Sequence, residues 1–213
     1  MTPVRLTIGL CFAFIAIVLG MFVHSVTRTP VLTDEQLRQQ GVFLLPRPRE
    51  IAPFELATHT GEPFTVTDFE GQWSFIFFGF TNCPDICPTS MSVLAQAERL
   101  IRERAPDAAD DFQGMLVSVD PERDDQETLA KYVTAFSPAF VGVRGDRAAT
   151  AELTTQLNVA FAKVPSDDGS YQVDHTANIV IVNPRGHYVG FAKMPHQADT
   201  IADTFITLHE RWG

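Results

Sequence analysis

An uncharged apolar segment near the N-terminus, Leu6–Val23, constrains this chain more than any other feature of its sequence. Its 18 residues are enough to span a bilayer with slight thinning, and they exceed the usual apolar core of a signal peptide. No convincing cleavage site follows, so we predict a retained transmembrane anchor at 6–23, with a cleaved signal peptide as the alternative. Arg5 and the terminal amine favour a cytoplasmic tail at 1–5, and Arg28 weakens that bias. The acidic remainder would then be exported.

The remainder reads as a tether followed by one domain. Residues 24–49 are mixed and polar and contain three prolines, with a short helix predicted at Thr33–Gln40 between a Thr33 cap and a Gly41 stop. Residues 50–213 suit one ordinary domain rather than two. The formal net charge of −10 argues against nucleic acid as a partner, because phosphate binding needs clustered cations.

Within 50–213, predicted strands alternate with predicted helices and a hairpin and a last helix close the pattern. The run from Ser74, SFIFFGF, is apolar enough for a buried central strand. This order predicts an α/β, thioredoxin-like fold with an added N-terminal β-hairpin. The hairpin is predicted at 54–57 and 63–66, the other strands at 74–80, 115–119, 140–143, 177–182 and 187–192, and the helices at about 91–101, 126–136, 148–159 and 199–209.

Two of the three cysteines, Cys83 and Cys87, fall where the central strand turns into its helix. If the first helical turn includes both, their i, i+4 spacing places the sulfurs on one face. A helix N-terminus would lower the thiol pKa there. Two such thiolates suit a soft metal such as Cu(I), or they oxidise to each other as a redox-active pair. A structural disulfide or two buried thiols is the alternative. Cys11 reads as a packing or lipid-facing residue.

Two cysteines must recruit further ligands to hold a metal, and six histidines are available. His175 is the candidate, because it directly precedes the apolar strand at 177–182, and the loop entering that strand meets the cysteine junction in thioredoxin-like folds. Asp174 either orients the His175 ring or is a surface carboxylate. The other five histidines read as solvated side chains: His24, His59, His187, His196 and His209.

Three motifs carry a resemblance to a known family. The segments are 78–88, FGFTNCPDICP; 118–124, SVDPERD; and 174–178, DHTAN. Together, in this order, they closely resemble the signature of the Sco/SenC family, and the apolar segment, hairpin and closing helix extend the match over nearly the whole chain from Leu6.

The resemblance implies a thioredoxin-like domain that binds copper, as Cu(I) or Cu(II), through Cys83, Cys87 and His175. It also implies a membrane-anchored copper chaperone of the bacterial inner membrane, with its domain in the periplasm. Such a protein helps to build the dinuclear copper centre of cytochrome c oxidase, by delivering copper, by reducing the target cysteines, or both. The implied partners are the copper-site subunit of the oxidase and an upstream periplasmic copper donor or thiol reductant.

Other functions remain open at this point. A thiol–disulfide oxidoreductase acting on exported proteins fits the paired thiols, although three residues rather than two separate them. A copper or redox sensor fits the same residues. Whether the protein is an enzyme stays open, because the paired thiols allow a thiol–disulfide reductase activity. Asp120 and Asp124 either form a partner-facing surface near the site, or make a strand-ending turn in which Asp124 caps the next helix.

Overall fold

The central strand of the fold is β4, Trp73–Gly79, whose seven residues are all buried. It pairs in parallel with β5, Phe112–Ser118, and antiparallel with β9, Ile179–Val182. Burial on both faces explains why this strand is a continuous apolar run rather than an alternating one. The predicted central strand is confirmed.

A computed structural model of the chain describes residues 3–27, 31–166 and 169–212, with side chains of the first helix described from 7 to 21. The helices are α1 Pro3–Thr27, α2 Asp34–Gln39, α3 Ile86–Arg104, α4 Gln126–Thr134, α5 Arg147–Gln156 and α6 Ala198–Trp212, with 3₁₀ turns at Val66–Phe69 and Pro106–Asp111. The remaining strands are β1 Val42–Glu50, β2 Leu56–Thr58, β3 Pro63–Phe64, β6 Val141–Arg144, β7 Phe161–Pro165, β8 Tyr171–His175 and β10 His187–Ala192.

Eight strands form one mixed sheet in the order β1-β10-β9-β4-β5-β6-β2-β3. The β4–β5 and β5–β6 pairs are parallel, and α3 and α4 make the two crossovers between them. The predicted α/β alternation is therefore confirmed. The predicted N-terminal hairpin is present as β2–β3, in which Leu56 pairs with Phe64, and β2 also pairs with β6.

The sheet domain begins earlier than the predicted boundary at residue 50. Leu32–Gly213 forms one compact unit. The predicted helix is present as α2, with Thr33 in a capping box. Strand β1 then pairs with β10, with Val42 opposite Ala192. Two of the three prolines that suggested a tether, Pro46 and Pro48, lie within this strand at the edge of the sheet, where proline is tolerated because no neighbour needs its missing N–H. Pro30 lies outside the described residues.

The N-terminal unit consists of α1, which covers the predicted apolar segment as a helix. Its described large apolar side chains are exposed, among them Leu10, Phe12 and Phe14. Across the described residues, no helix combines the length and the apolar character needed for a membrane span.

Candidate metal centre

The two cysteines lie on either side of the start of α3. Cys87 is buried in the first turn of the helix, whereas Cys83 is half-buried in the preceding loop. The first helical turn does not include both cysteines, because α3 begins at Ile86 and Pro84 disfavours a helical conformation at the residue before it. Asp85 makes no side-chain cap; instead, the Cys87 backbone N–H donates to Cys83 Sγ at 3.5 Å.

Gly79, at the end of β4, leaves the space that Cys87 occupies. A Cβ atom at this position would lie 2.9 Å from Cys87 Sγ, so a larger residue would displace the sulfur. The strand-to-helix junction is thus shaped around this thiol.

His175 lies on a β-hairpin that the sequence pattern did not predict. Strands β7 and β8 form a separate two-stranded sheet, and His175, the last residue of β8, pairs with Phe161. The hairpin continues beyond the strands, because the Thr176 N–H donates to the Ala160 carbonyl at 2.8 Å. Residues 167 and 168 lie outside the described residues.

The three predicted ligands converge. Cys87 Sγ lies 3.7 Å from His175 Nε2, and the ligand atoms of Cys83, Cys87 and His175 all lie within 4.8 Å of one another. His175 Nδ1 lies 3.2 Å from the carbonyl oxygen of Thr176. A carbonyl only accepts, so Nδ1 carries the proton and Nε2 directs its lone pair at the sulfurs.

These distances fit one bound ion. An ion such as zinc, bonded about 2.0 Å to nitrogen and about 2.3 Å to sulfur, separates the two ligand atoms by roughly 3.7 Å when the bond angle is near 120°. Two thiolates and one imidazole form the soft donor set that suits Cu(I). The part of the chain that the structure describes thus contains a site in which three donor atoms can reach one ion.

Burial dominates the electrostatics of the site. Desolvation, and secondarily the hydrogen bond with Cys83, raises the pKa of the Cys87 thiol far above its ordinary value. At Cys87, burial therefore outweighs the lowering of the thiol pKa that was predicted from the helix N-terminus. Desolvation also lowers the pKa of His175, which keeps the imidazole neutral and able to bind a metal.

Two phenylalanines hold the His175 ring edge-on. The ring centroids of Phe77 and Phe80 lie 5.7 and 5.9 Å from that of His175, with interplanar angles of 80° and 85°. Such edge-to-face contacts restrict the ring and exclude water. The apolar surroundings explain the depressed pKa of His175.

Asp124 neither faces a partner nor caps α4. Its fully buried carboxylate accepts hydrogen bonds from the Thr81 backbone N–H at 3.1 Å, the Thr81 hydroxyl at 2.6 Å and the Ser118 hydroxyl at 2.5 Å. Asp125 is the residue that caps α4. Asp124 thereby ties the loop that carries Cys83 to the end of β5.

Asp120 is also buried and ties the hairpin to the β5–α4 loop. It accepts a hydrogen bond from the Tyr171 hydroxyl at 2.9 Å and pairs with Arg123. Arg123 donates to the Tyr171 carbonyl oxygen at 3.2 Å and covers the Tyr171 ring. The Asp120–Pro121 turn is confirmed. Motif 118–124 thus contacts both the cysteine loop and the histidine hairpin. Nothing in the sequence indicated that Thr81 and Tyr171 are the residues that make these contacts.

The remaining predicted side chains lie outside the cluster. Asp174 is exposed and is not the hydrogen-bond partner of the His175 ring. His196 is half-buried rather than solvated, with Nδ1 3.1 Å from the Ser90 hydroxyl. The others lie elsewhere: His59 accepts from the Gly142 N–H, His209 pairs with Asp111, His187 begins β10, Cys11 is exposed on α1, and the His24 side chain lies outside the described ones.

Comparison with known proteins agrees with this geometry. The SCO1/SenC family model matches residues 45–210. The mitochondrial SCO1 homolog of Homo sapiens is 34% identical over 174 residues, which are 81% of this chain and 57% of that protein. This chain thus matches little more than half of the length of that relative.

Solved structures give the same result. Arabidopsis thaliana ScoI with copper bound has a TM-score of 0.69 and 31% identity, covering 75% of this chain and 98% of that chain. Bradyrhizobium japonicum ScoI with copper bound has a TM-score of 0.65 and 34% identity, covering 74% of this chain and 98% of that chain. With the family model matched across the sheet domain and the three motifs gathered around one site, this chain belongs to the SCO1/SenC family.

Proposed function

We propose that this protein binds copper through Cys83, Cys87 and His175 and helps to assemble the dinuclear copper centre of cytochrome c oxidase. The single observation that carries the proposal is the convergence of the three donor atoms within 4.8 Å. Two relatives of this family have been solved with copper bound, which supports copper as the ion.

Copper is the cargo of this site, and each ligand has a distinct part in holding it. Cys87 supplies a buried sulfur, Cys83 a half-buried one, and His175 a neutral nitrogen from the other side. Binding displaces protons from the thiols. Since Cys83 and His175 are both partly exposed, an acceptor protein reaches the ion from their side and takes it by exchanging ligands.

The same thiols support reduction of the acceptor's cysteines as a second activity. Both cysteines are free, and their sulfurs lie within 4.8 Å of each other. Attack of the Cys83 thiolate on a target disulfide forms a mixed disulfide and releases one target thiolate. The Cys87 thiol then gives its proton to the target thiolate already released, attacks Cys83 Sγ and displaces the second target thiolate. Two electrons pass to the target, and Cys83 and Cys87 end as a disulfide.

We also propose that α1 holds the protein at a bacterial inner membrane, with the sheet domain on the periplasmic side. The support is the uncharged sequence of Leu6–Val23 and the exposure of its large side chains along α1. A full-length chain that sediments with membranes and resists salt and alkaline extraction supports this location, while a chain starting at Leu32 should stay in the supernatant. Release of the full-length chain by salt would contradict it.

The assembly function is tested by copper transfer. We expect the Cu(I)-loaded protein to load the apo copper-site domain of the oxidase subunit, measured as copper recovered on that domain after separation. The reductase activity is tested by mixing the reduced protein with an acceptor whose two cysteines have first been oxidised to a disulfide. We expect the acceptor to regain its two free thiols. Failure to transfer copper despite normal binding would contradict the assembly function, and rapid insulin reduction without copper would favour the general oxidoreductase instead.

A further inference from the structure

Both tryptophans of the chain lie together at the end of the sheet opposite the candidate copper site. Trp73, the first residue of β4, is 1% exposed, and Trp212, near the end of α6, is 46% exposed. Their rings stack with centroids 5.6 Å apart and an interplanar angle of 19°. An exposed indole stacked on a buried one is a rigid, amphipathic surface.

A cleft of about 500 Å³ adjoins the two rings. Arg185 is exposed at its rim, and no hydrogen bond or ion pair of its guanidinium is found among residues 3–27, 31–166 and 169–212. We call the surface formed by Pro48, Trp73, Pro184, Arg185, Arg211 and Trp212 the tryptophan face. It presents a free cation beside exposed aromatic area on a chain whose formal net charge is −10.

The chain enters the sheet domain beside this face. The Leu32 N–H donates to the Thr207 hydroxyl at 3.1 Å, and Arg211 binds both the Leu32 carbonyl and Asp34. The first residue of the sheet domain is therefore fixed to the last turns of α6. Only residues 28–31 separate Leu32 from the end of α1 at Thr27, and five Cα–Cα steps span at most about 18 Å.

The candidate copper site lies at the other end of the same strand. β4 runs from Trp73 to Gly79, after which the chain enters the Cys83 loop. At about 3.3 Å per residue, seven residues separate the two ends by roughly 20 Å. β9, which follows His175, runs antiparallel to β4 and ends beside Asn183 and Pro184.

We propose that the tryptophan face rests on the bilayer surface, so that the sheet domain stands with its copper site directed away from the membrane. This inference rests on the proposed anchoring by α1. Tryptophan and arginine both favour the headgroup region, since each has an apolar body and a polar tip. The short connection to α1 limits how far this end of the domain can lie from an anchored helix, and the exposed Arg185 would there meet lipid phosphates.

The chain offers its own probe, because tryptophan emission reports on this face alone. We expect the full-length Trp73→Phe chain to show Trp212 emission at shorter wavelength in phosphatidylethanolamine–phosphatidylglycerol vesicles than the Trp73→Phe chain that starts at Leu32 shows in detergent-free buffer. Lipids spin-labelled near the headgroup should quench most of that emission. Arg185→Glu should reduce the quenching, since it replaces the attraction to anionic lipid by repulsion.

A matched control places the probe at the copper end. In a chain that carries Trp73→Phe, Trp212→Phe and Phe161→Trp, the only tryptophan lies on β7 opposite His175. We expect its emission to resist the same quencher. If Trp73→Phe does not fold, the difference between the native chain and Trp212→Phe gives the Trp212 signal.

The quenching results and the sedimentation results together distinguish the orientation of the sheet domain from membrane anchoring by α1. Unquenched Trp212 in a chain that still sediments with membranes overturns the orientation and leaves the anchor intact. Equal quenching at both positions also overturns it, because the domain would then lie flat. A chain that leaves the membrane overturns both.

Discussion

At the scale of single residues, the site depends on contacts that prepare each ligand for a metal. The Thr176 carbonyl selects the His175 tautomer, and Phe77 and Phe80 hold the ring while burial keeps it neutral. Cys87 is different, because burial raises the pKa of its thiol and so opposes the form that binds metal. A bound cation is what stabilises the Cys87 thiolate in this environment.

The raised pKa of Cys87 predicts the pH dependence of copper binding. The Cys87 thiol is protonated at neutral pH, so Cu(I) must displace its proton, and affinity should rise with pH by about tenfold per unit for each proton displaced. Because the pKa of His175 is lowered, protonation of the imidazole should weaken binding only in acid. Competition titrations against a Cu(I) chelator, carried out between about pH 6 and about pH 8, measure how the copper affinity changes with pH. A flat profile would contradict the buried-thiol account.

Asp124 gives a second prediction at this scale. Asp124→Ala leaves the Thr81 and Ser118 donors unpaired, which should cost about 1–3 kcal/mol in free energy of unfolding and weaken copper binding by releasing the Cys83 loop. Asp124→Asn keeps an acceptor oxygen and should lose less. Urea denaturation and Cu(I) titration measure both effects.

The neighbouring carboxylate is the control. Asp125→Ala removes the cap of α4 and should cost about 0.5–2 kcal/mol while leaving copper affinity unchanged. Equal losses of copper affinity in Asp124→Ala and Asp125→Ala would show that Asp124 has no specific effect on the site.

At the scale of elements, the strongly patterned segments were predictable and the short polar ones were not. Strand β4 follows from its continuous apolar run, and the apolar face of α3 follows from helical periodicity. The junction that holds the cysteines lies between these two segments. The β7–β8 hairpin was missed because each strand has five residues and Val173 is the only fully buried one. His175 lies 88 residues from Cys87, so their contact depends on this hairpin and has no local signal.

The attachment of the hairpin can be tested at Tyr171. Tyr171→Phe removes the hydrogen bond to the buried Asp120 carboxylate, and we expect a loss of about 1.5–3 kcal/mol in stability together with weaker copper binding. Tyr188→Phe is the matched control, because Tyr188 is a buried tyrosine of β10 whose ring packs under Arg49, away from the three ligands. Urea denaturation and Cu(I) titration of the two variants give the comparison. An unchanged copper affinity in Tyr171→Phe would show that His175 does not depend on this contact.

At the scale of the whole molecule, the sequence predicted the N-terminal helix better than it predicted the start of the sheet domain. The helix was evident from the uncharged apolar run Leu6–Val23. The start of the sheet domain was not, because β1 is an edge strand with two prolines and one buried residue, Val42. Its place in the sheet comes from pairing with β10, whose paired residues are 137 to 150 positions away in the chain, so no local pattern reveals it.

The position of the domain boundary predicts the effect of truncation. A chain that starts at Leu32 keeps β1 and should fold and bind copper, whereas one that starts at Glu50 loses the buried Leu37 and Val42 and exposes the edge of β10. Each such side chain contributes about 1.5–3 kcal/mol by burial, so the shorter chain should unfold at lower temperature or aggregate. Circular dichroism melts measure the difference. Equal melting temperatures would place the boundary at Glu50 after all.

The most direct test of the central claim is a Cu(I) competition titration of the reduced full-length protein, of His175→Ala and of His196→Ala. His196 is the matched histidine, since its ring packs against the same Phe77 as His175 but its Nδ1 is bonded to Ser90. We predict one equivalent of Cu(I) for the native chain, a loss of affinity of at least about 10- to 100-fold for His175→Ala, and near-native binding for His196→Ala. Native affinity in His175→Ala would contradict the three-ligand site.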